Sequence, residues 1–384
     1  MPSPSNPALF RPTKVGYNTL AHRVVLAPLT RMRADAEHVH GELAVAYYAQ
    51  RAHVPGTLLI TEGTYISPRA GGYPHVPGIW NDAQIAAWKR VTDAVHERRC
   101  YIFLQISAMG RMADIAQLER EGPSFPYVAP SAIALSGQPR APRPLTLSEI
   151  QEYIEMYATA ASNAVHRAGF DGVELQGANG YLVDQFLQDV SNARTDAYGG
   201  SVENRCRFAL ETIGAIVHAV GARKTALRVS PWNKFSDMGM EDPVPTFTHL
   251  VQRLADAYPD LAYLHHIVHR GAQNNSLSCV ERSSPPQSND FLRSLWAPRP
   301  LISAGRYTRE TALATAERTG ELIAFGSLFI ANPDLPLRLQ RNIPLAQPDR
   351  TTFYAPASAR GYIDYPFAEP GEPDVDPACI VQSG

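Results

Sequence analysis

The chain reads as one α/β domain, a (β/α)8 TIM barrel with a long loop insertion after its third strand. Three observations predict this. Eight short apolar segments recur along the 384 residues, mostly separated by helical patterns. Uninterrupted apolar segments suit strands buried on both faces, and their alternation with helices implies parallel β/α units. Polar or small residues follow most of these segments, and the carboxyl ends of barrel strands are where such a fold keeps its chemistry.

The segments, in order, are Val24–Ala27, Thr57–Thr61, Tyr101–Ile106, Gly172–Leu175, Thr225–Ser230, Ala262–Val268, Leu301–Ser303 and Leu322–Phe325. Between them, Asp82–Arg99 carries Ile85, Trp88, Val91 and Val95 at helical spacing. Ser148 and Gln151 form a capping-box pattern ahead of the stripe Ile150, Tyr153, Ile154 and Tyr157. A further helix is expected over Val202–Val220, with Ser201 as its N-cap. The stretch Ser107–Pro144 is rich in Pro and Gly and follows a strand. A loop of that length is usually functional, and its position predicts that it covers the barrel mouth. Residues 1–366 form the expected barrel domain, and 367–384 an acidic, Pro-rich tail expected to be poorly ordered.

Composition narrows the function classes. The net charge is −2, which offers no electrostatic reason for nucleic acid or anionic lipid as a partner. No apolar run approaches the ~20 residues of a membrane helix. The amino terminus shows no apolar targeting segment, and the four cysteines form no C-x-x-C pair. Reduced thiols in a cytoplasmic protein, a monomer or homodimer, are therefore expected. Adjacent strand residues point to opposite faces, so His265 and His266 are not expected to share a metal with His269.

The strand ends supply the candidate site. They carry Pro28-Leu29-Thr30, Glu62-Gly63, Gln105, then Gln176 with Asn179 and Tyr181, then Arg228, Ala304-Gly305-Arg306 and Gly326-Ser327. Small residues after the seventh and eighth strands let backbone N–H groups approach a phosphate. A phosphate-bearing cofactor or substrate is expected there, with Arg306 supplying charge. No G-x-G-x-x-G or P-loop points to a separate dinucleotide domain.

The segment from Gly169 to Arg205, GFDGVELQGANGYLVDQFLQDVSNARTDAYGGSVENR, closely resembles the old yellow enzyme family of FMN-dependent ene reductases. HRVVLAPLTRMRA, LLITEGTYIS, LRVSPW, ISAG and FIANPDLPLRL resemble further signatures of that family, in order along nearly the whole chain. The resemblance implies FMN at the barrel mouth, recharged by NADPH. Pro28, Leu29 and Thr30 would lie against the flavin, Gly63 and Gln105 on its pyrimidine ring, and Arg228 at its anionic edge. Gly305, Arg306, Gly326 and Ser327 would surround the phosphate. Gln176 and Asn179 would clamp a substrate carbonyl oxygen, and Tyr181 would protonate the α-carbon of a conjugated C=C. Ser107, Ala108 and Tyr354 would line the substrate pocket.

Four positions depart from the family pattern. Ser107 replaces a Trp, Gln176 a His or Asn, Ser327 an Arg, and Arg306 a Gly, where it would either restore the missing charge or block the phosphate. Loss of a charge-assisted hydrogen bond at Ser327 is worth roughly 1.5–3 kcal/mol, about tenfold or more in FMN affinity. Ser107 and Ala108 imply a substrate bulkier than cyclohexenone, in keeping with members from secondary-metabolite pathways. Alkene reduction is the leading expectation. A redox-neutral epimerase or isomerase working through an enolate is the alternative, and an inactive binding barrel ranks below both.

Overall fold

The computed structural model describes residues 6–268 and 287–368. Eight parallel strands close a barrel: β1 Val24–Leu26, β2 Leu58–Ile60, β3 Tyr101–Ser107, β4 Gly172–Gly177, β5 Thr225–Val229, β6 Tyr263–Ile267, β7 Leu301–Ala304 and β8 Leu322–Phe325. Each pairs with the next, and β8 closes on β1 with Ile323 opposite Val24 and Phe325 opposite Leu26. The eight apolar segments therefore mark the eight barrel strands.

Side-chain parity sorts every strand into two faces. One parity packs outward against helices: Leu26, Leu59, Leu104, Ile106, Val173, Leu175, Leu227, Val229 and Leu264 share one core cluster. The other parity fills the barrel interior with Val25, Ile60, Phe103, Ala226, Tyr263, Ile302 and Ala324. An antiparallel hairpin, Thr13–Val15 with Asn18–Leu20, joins this inner cluster through Val15 and Leu20. It closes the barrel at the end opposite the candidate site.

The outer helices include α1 Glu42–Arg51, α2 Asp82–His96, α3 Leu147–Ser162, α4 Val202–Val220 and α5 Val244–Ala257. In α2, Ile85, Trp88, Val91 and Val95 are all buried, as their spacing predicts. Ser201 caps α4 by accepting from Asn204 N. The cap of α3 corrects the expectation of Ser148 with Gln151. Thr146 is the N-cap and accepts from the N–H of Glu149, whose carboxylate returns the bond. Both pairs fit the same capping pattern, and the earlier one starts the helix two residues sooner.

The insertion after β3 has its own order. A short helix, Ile115–Glu121, and the paired segments Val128–Ala129 and Arg143–Pro144 lie within it. Met109, Met112, Ile115, Leu118 and Tyr127 form a small apolar cluster with Tyr65 and Val76, and Tyr181 packs against it. His265 and His266 take opposite faces of β6. His265 Nδ1 meets Glu174 Oε2 inside the barrel, while His266 Nδ1 meets Asn289 Nδ2 outside it. His269 and nearly all of the acidic tail lie outside the described residues.

Candidate active site

The inward parity of β3 to β6 becomes polar toward the carboxyl ends. Gln105, Glu174, Gln176, Arg228 and His265 are all buried. Gln105 Nε2 donates to Glu174 Oε1 at 2.7 Å and, more weakly, to Gln176 Oε1 at 3.4 Å. His265 Nδ1 lies 2.8 Å from the other oxygen of Glu174. Burial lowers the His265 pKa to about 4, so the ring is neutral and donates one N–H. Burial opposes the charge on Glu174, but His265, Arg228 and Gln105 outweigh it and hold its pKa below the usual range. The carboxylate is therefore ionised and accepts from both neighbours.

Arg228 is the companion cation. It sits opposite Gln176 in the β4–β5 register. Burial lowers its pKa, and Glu174 opposes that shift. Its Nε is buried with no hydrogen-bond partner among the described residues. A buried guanidinium with an unused donor favours an electron-rich ligand edge nearby. Gln105 adds a complementary acceptor. A Cβ placed on Gly63 would stand 3.5 Å from Gln105 Oε1, so that oxygen points toward Gly63. Acceptor, donor and open backbone match the edge of a flavin pyrimidine ring.

The second corner lies across β7, β8 and β1. Gly305 has φ +152°, and a Cβ there would come within 2.9 Å of Val268 O. A Cβ on Gly326 would lie 3.2 Å from the Leu29 side chain, which brings the β1 and β8 ends together. Pro28 is buried beside Leu29, and Ser327 opens a short helix, Ser327–Ala331. Arg306 is exposed, holds φ +45°, and has no partner among the described residues. A free cation beside tight small-residue turns suits a phosphate. The residues present thus fit FMN at both of its ends.

Above β1 to β5 lies a cavity of about 280 Å³. Of the candidates, Thr30, Gly63, Ser107, Tyr181 and Tyr354 line it. Ala108 is a correction. It is fully buried in the outer core with Leu104 and Ile106, because it shares their strand parity. Met109, one residue further, lines the cavity instead. Sequence reading also missed Tyr65, Tyr73, Met112 and Phe235, which complete a wall of aromatic rings and thioethers. The only signal for Met109 and Met112 was their place in the long insertion.

Tyr181 is the candidate proton donor of the cavity. Burial, with Tyr73 and Tyr354 nearby, raises its pKa to about 12, while a hydrogen bond to Thr30 opposes the shift. The phenol keeps its proton at neutral pH. Two residues earlier, Asn179 adopts φ +58°. Its N–H donates to Ser230 Oγ at 2.9 Å, and its Oδ1 accepts from Asn233 Nδ2 at 2.7 Å. The Gly180 N–H donates to Asp184 Oδ2 at 2.9 Å, and Gln185 Nε2 donates to Gly180 O at 2.7 Å. The turn that presents Asn179 and Tyr181 is thus held on both sides.

A TIM barrel whose mouth carries a buried guanidinium, an oriented amide acceptor and a neutral phenol suits a flavin-dependent oxidoreductase. Residues 8–346 match the family described as NADH:flavin oxidoreductase / NADH oxidase. Chanoclavine-I aldehyde reductase fgaOx3 of Penicillium roqueforti is 49% identical over 94% of this chain and 96% of its own. NADP-dependent oxidoreductase lnbE of Aspergillus flavus is 47% identical over 94% and 96%. A protein of Claviceps purpurea named probable inactive dehydrogenase easA is 44% identical over 97% and 98%. Old Yellow Enzyme from Pichia sp. AKU4542 superposes with a TM-score of 0.85, at 35% identity over 96% of this chain and 95% of that one. The chain belongs to the NADH:flavin oxidoreductase / NADH oxidase family. It is an NAD(P)H-dependent flavin oxidoreductase with FMN as its cofactor.

Proposed function

We propose that the chain reduces the C=C of a conjugated carbonyl compound, an enal or enone bulkier than cyclohexenone, with NADPH as reductant. One observation carries the reading. The amide nitrogens of Gln176 and Asn179 have no partner among the described residues, while both amide oxygens are occupied by donors. Two free donors, one at the end of β4 and one on the loop that follows, with the neutral Tyr181 phenol two residues beyond Asn179, suit a developing enolate.

FMN held by Gln105, Arg228 and the Gly305 and Gly326 turns would supply the hydride for the β-carbon. The side chains do the rest. Gln176 and Asn179 hold the carbonyl oxygen as it gains charge. Tyr181 passes its proton to the α-carbon, and Thr30 supports the phenol oxygen that remains. Ser107, in place of a bulky side chain, leaves room beside Met109 and Tyr354. Arg306 takes the phosphate-binding task that the family usually gives to an arginine at the Ser327 position. The name chanoclavine-I aldehyde reductase supports an aldehyde on a large intermediate of secondary metabolism.

The experiment is anaerobic reduction of the purified holoenzyme by NADPH, followed by addition of a conjugated enal in D2O. Flavin reoxidation with one deuterium at the α-carbon of the saturated product is the expected result. Deuterium exchange without reoxidation would replace this reading with the redox-neutral one. Absence of both would align the chain with the relative named as inactive.

A further inference from the structure

An amide side chain has a donor end and an acceptor end of nearly the same shape. A carbonyl clamp works only when the donor ends face the substrate. The choice must be set by neighbours whose own polarity cannot reverse.

The turn after β5 supplies such a neighbour for Asn179. The backbone N–H of Phe235 donates to Asn233 Oδ1 at 3.0 Å. A peptide N–H can only donate, so this bond turns the oxygen end of Asn233 toward Phe235. Asn233 Nδ2 is left to donate to Asn179 Oδ1, at 2.7 Å. That bond occupies the oxygen end of Asn179 and leaves its Nδ2 without a partner among the described residues. Backbone adjustment offers no escape, because the Asn179 N–H is tied to Ser230 Oγ.

The geometry points to Asn233 as a positioning residue that sets the hydrogen-bond polarity of Asn179, so that the site selects acceptors over donors. Asn233 acts through Asn179 and needs no contact with the reacting atoms. The inference rests on the carbonyl-clamp reading above. A carboxylate at this position would keep the Phe235 bond but offer Asn179 only an acceptor. The Asn179 amide would then turn round and present its oxygen to the ligand.

The test uses the oxidised holoenzyme with cyclohexanone and cyclohexanol. Both are uncharged, share one ring, and lack a conjugated C=C, but only the alcohol donates. Their dissociation constants, followed by the flavin spectrum, give a ketone-to-alcohol preference. Asn233→Asp is expected to lower that preference about tenfold, the worth of roughly one net hydrogen bond. Asn233→Ala, which frees Asn179 without reversing it, is expected to lower it less. Asn233→Ser, whose hydroxyl still donates, should keep most of it. A merely structural role gives the opposite order for Asp and Ala, since only Asp retains the Phe235 bond. An unchanged preference in Asn233→Asp, with FMN content intact, overturns the inference. Asn179→Ala separates the two levels. If it binds the ketone like the wild type, the clamp reading fails and the Asn233 role falls with it. If it weakens the ketone while Asn233→Asp leaves the preference alone, only the Asn233 role fails.

Discussion

Glu174 Oε1 accepts a hydrogen bond from Gln105 Nε2 at 2.7 Å, in a fully buried pair. A carboxylate cannot donate, so this contact decides which end of the Gln105 amide is left for the proposed flavin edge. The oxygen end is turned toward Gly63.

Glu174→Gln should therefore weaken FMN binding. It removes an obligatory acceptor and allows the Gln105 amide to reverse. It also strips Arg228 of the opposing charge that offsets its burial. A hydrogen bond to a charged group is worth roughly 1.5–3 kcal/mol, so FMN affinity should fall by about tenfold or more. Fluorescence titration of the apoprotein with FMN measures this. An affinity equal to wild type would show that Gln105 is oriented by something else.

Tyr181→Phe keeps the ring packed against Met109, Met112 and Tyr65 but removes the hydroxyl bonded to Thr30. Loss of a general acid costs about 10²–10⁴-fold in rate. Reduction of a conjugated enal should slow by that factor. Reoxidation of the NADPH-reduced enzyme by molecular oxygen should be nearly unchanged, because no proton is placed on a substrate carbon. Stopped-flow traces of the two half-reactions distinguish these effects.

Arg306→Gly should act on stability and on cofactor binding in opposite directions. Arg306 holds φ +45°, a left-handed conformation that costs a non-glycine residue about 1 kcal/mol. Glycine removes that strain, so the apoprotein should melt at a slightly higher temperature. The same change deletes the exposed guanidinium beside Gly305 and should weaken FMN about tenfold or more. Tighter FMN binding by the variant would mean that the side chain obstructs the phosphate instead.

Asp184 brings a pH dependence. Burial raises its pKa to about 7, against the opposing effects of the Gly180 N–H, Gln188 and Arg111. The folded protein holds this proton where the unfolded chain, with an ordinary Asp pKa of ~3.9, has lost it. The contribution of Asp184 to stability is therefore complete below about pH 4 and is lost as pH rises through about 7. Asp184→Asn lacks that titration. Its melting temperature relative to wild type should climb between pH 4 and pH 8. A constant difference across that range would show that the carboxyl titrates normally.

Much of the scaffold was legible because a buried parallel strand is a local pattern. Each of the eight apolar segments lies within two residues of a barrel strand, and the helix over Val202–Val220 begins at the Ser201 cap as expected. Residues at strand ends were legible for the same reason, since their place follows from where the apolar run stops. Ala108 was misplaced because nearness in sequence was read as nearness to the cavity, whereas strand alternation sends it outward. Glu174 was passed over, and His265 was weighed only as a metal ligand, because each sits inside an apolar strand and only the closed barrel brings them together. Asn233, Tyr73 and Phe235 belong to loops whose path depends on tertiary contacts. No local period places Tyr73 and Phe235 at the cavity or Asn233 beside Asn179.

The hairpin Thr13–Val15 with Asn18–Leu20 has a kinetic consequence. By seating Val15 and Leu20 among the inner residues of the barrel, it blocks one end to traffic and, among the described residues, leaves the opposite rim as the way in. If nicotinamide and the second substrate both enter by that rim and use the cavity at β1 to β5, they take turns. Initial-rate plots should be parallel, in the ping-pong manner, and each reactant at high concentration should inhibit competitively against the other.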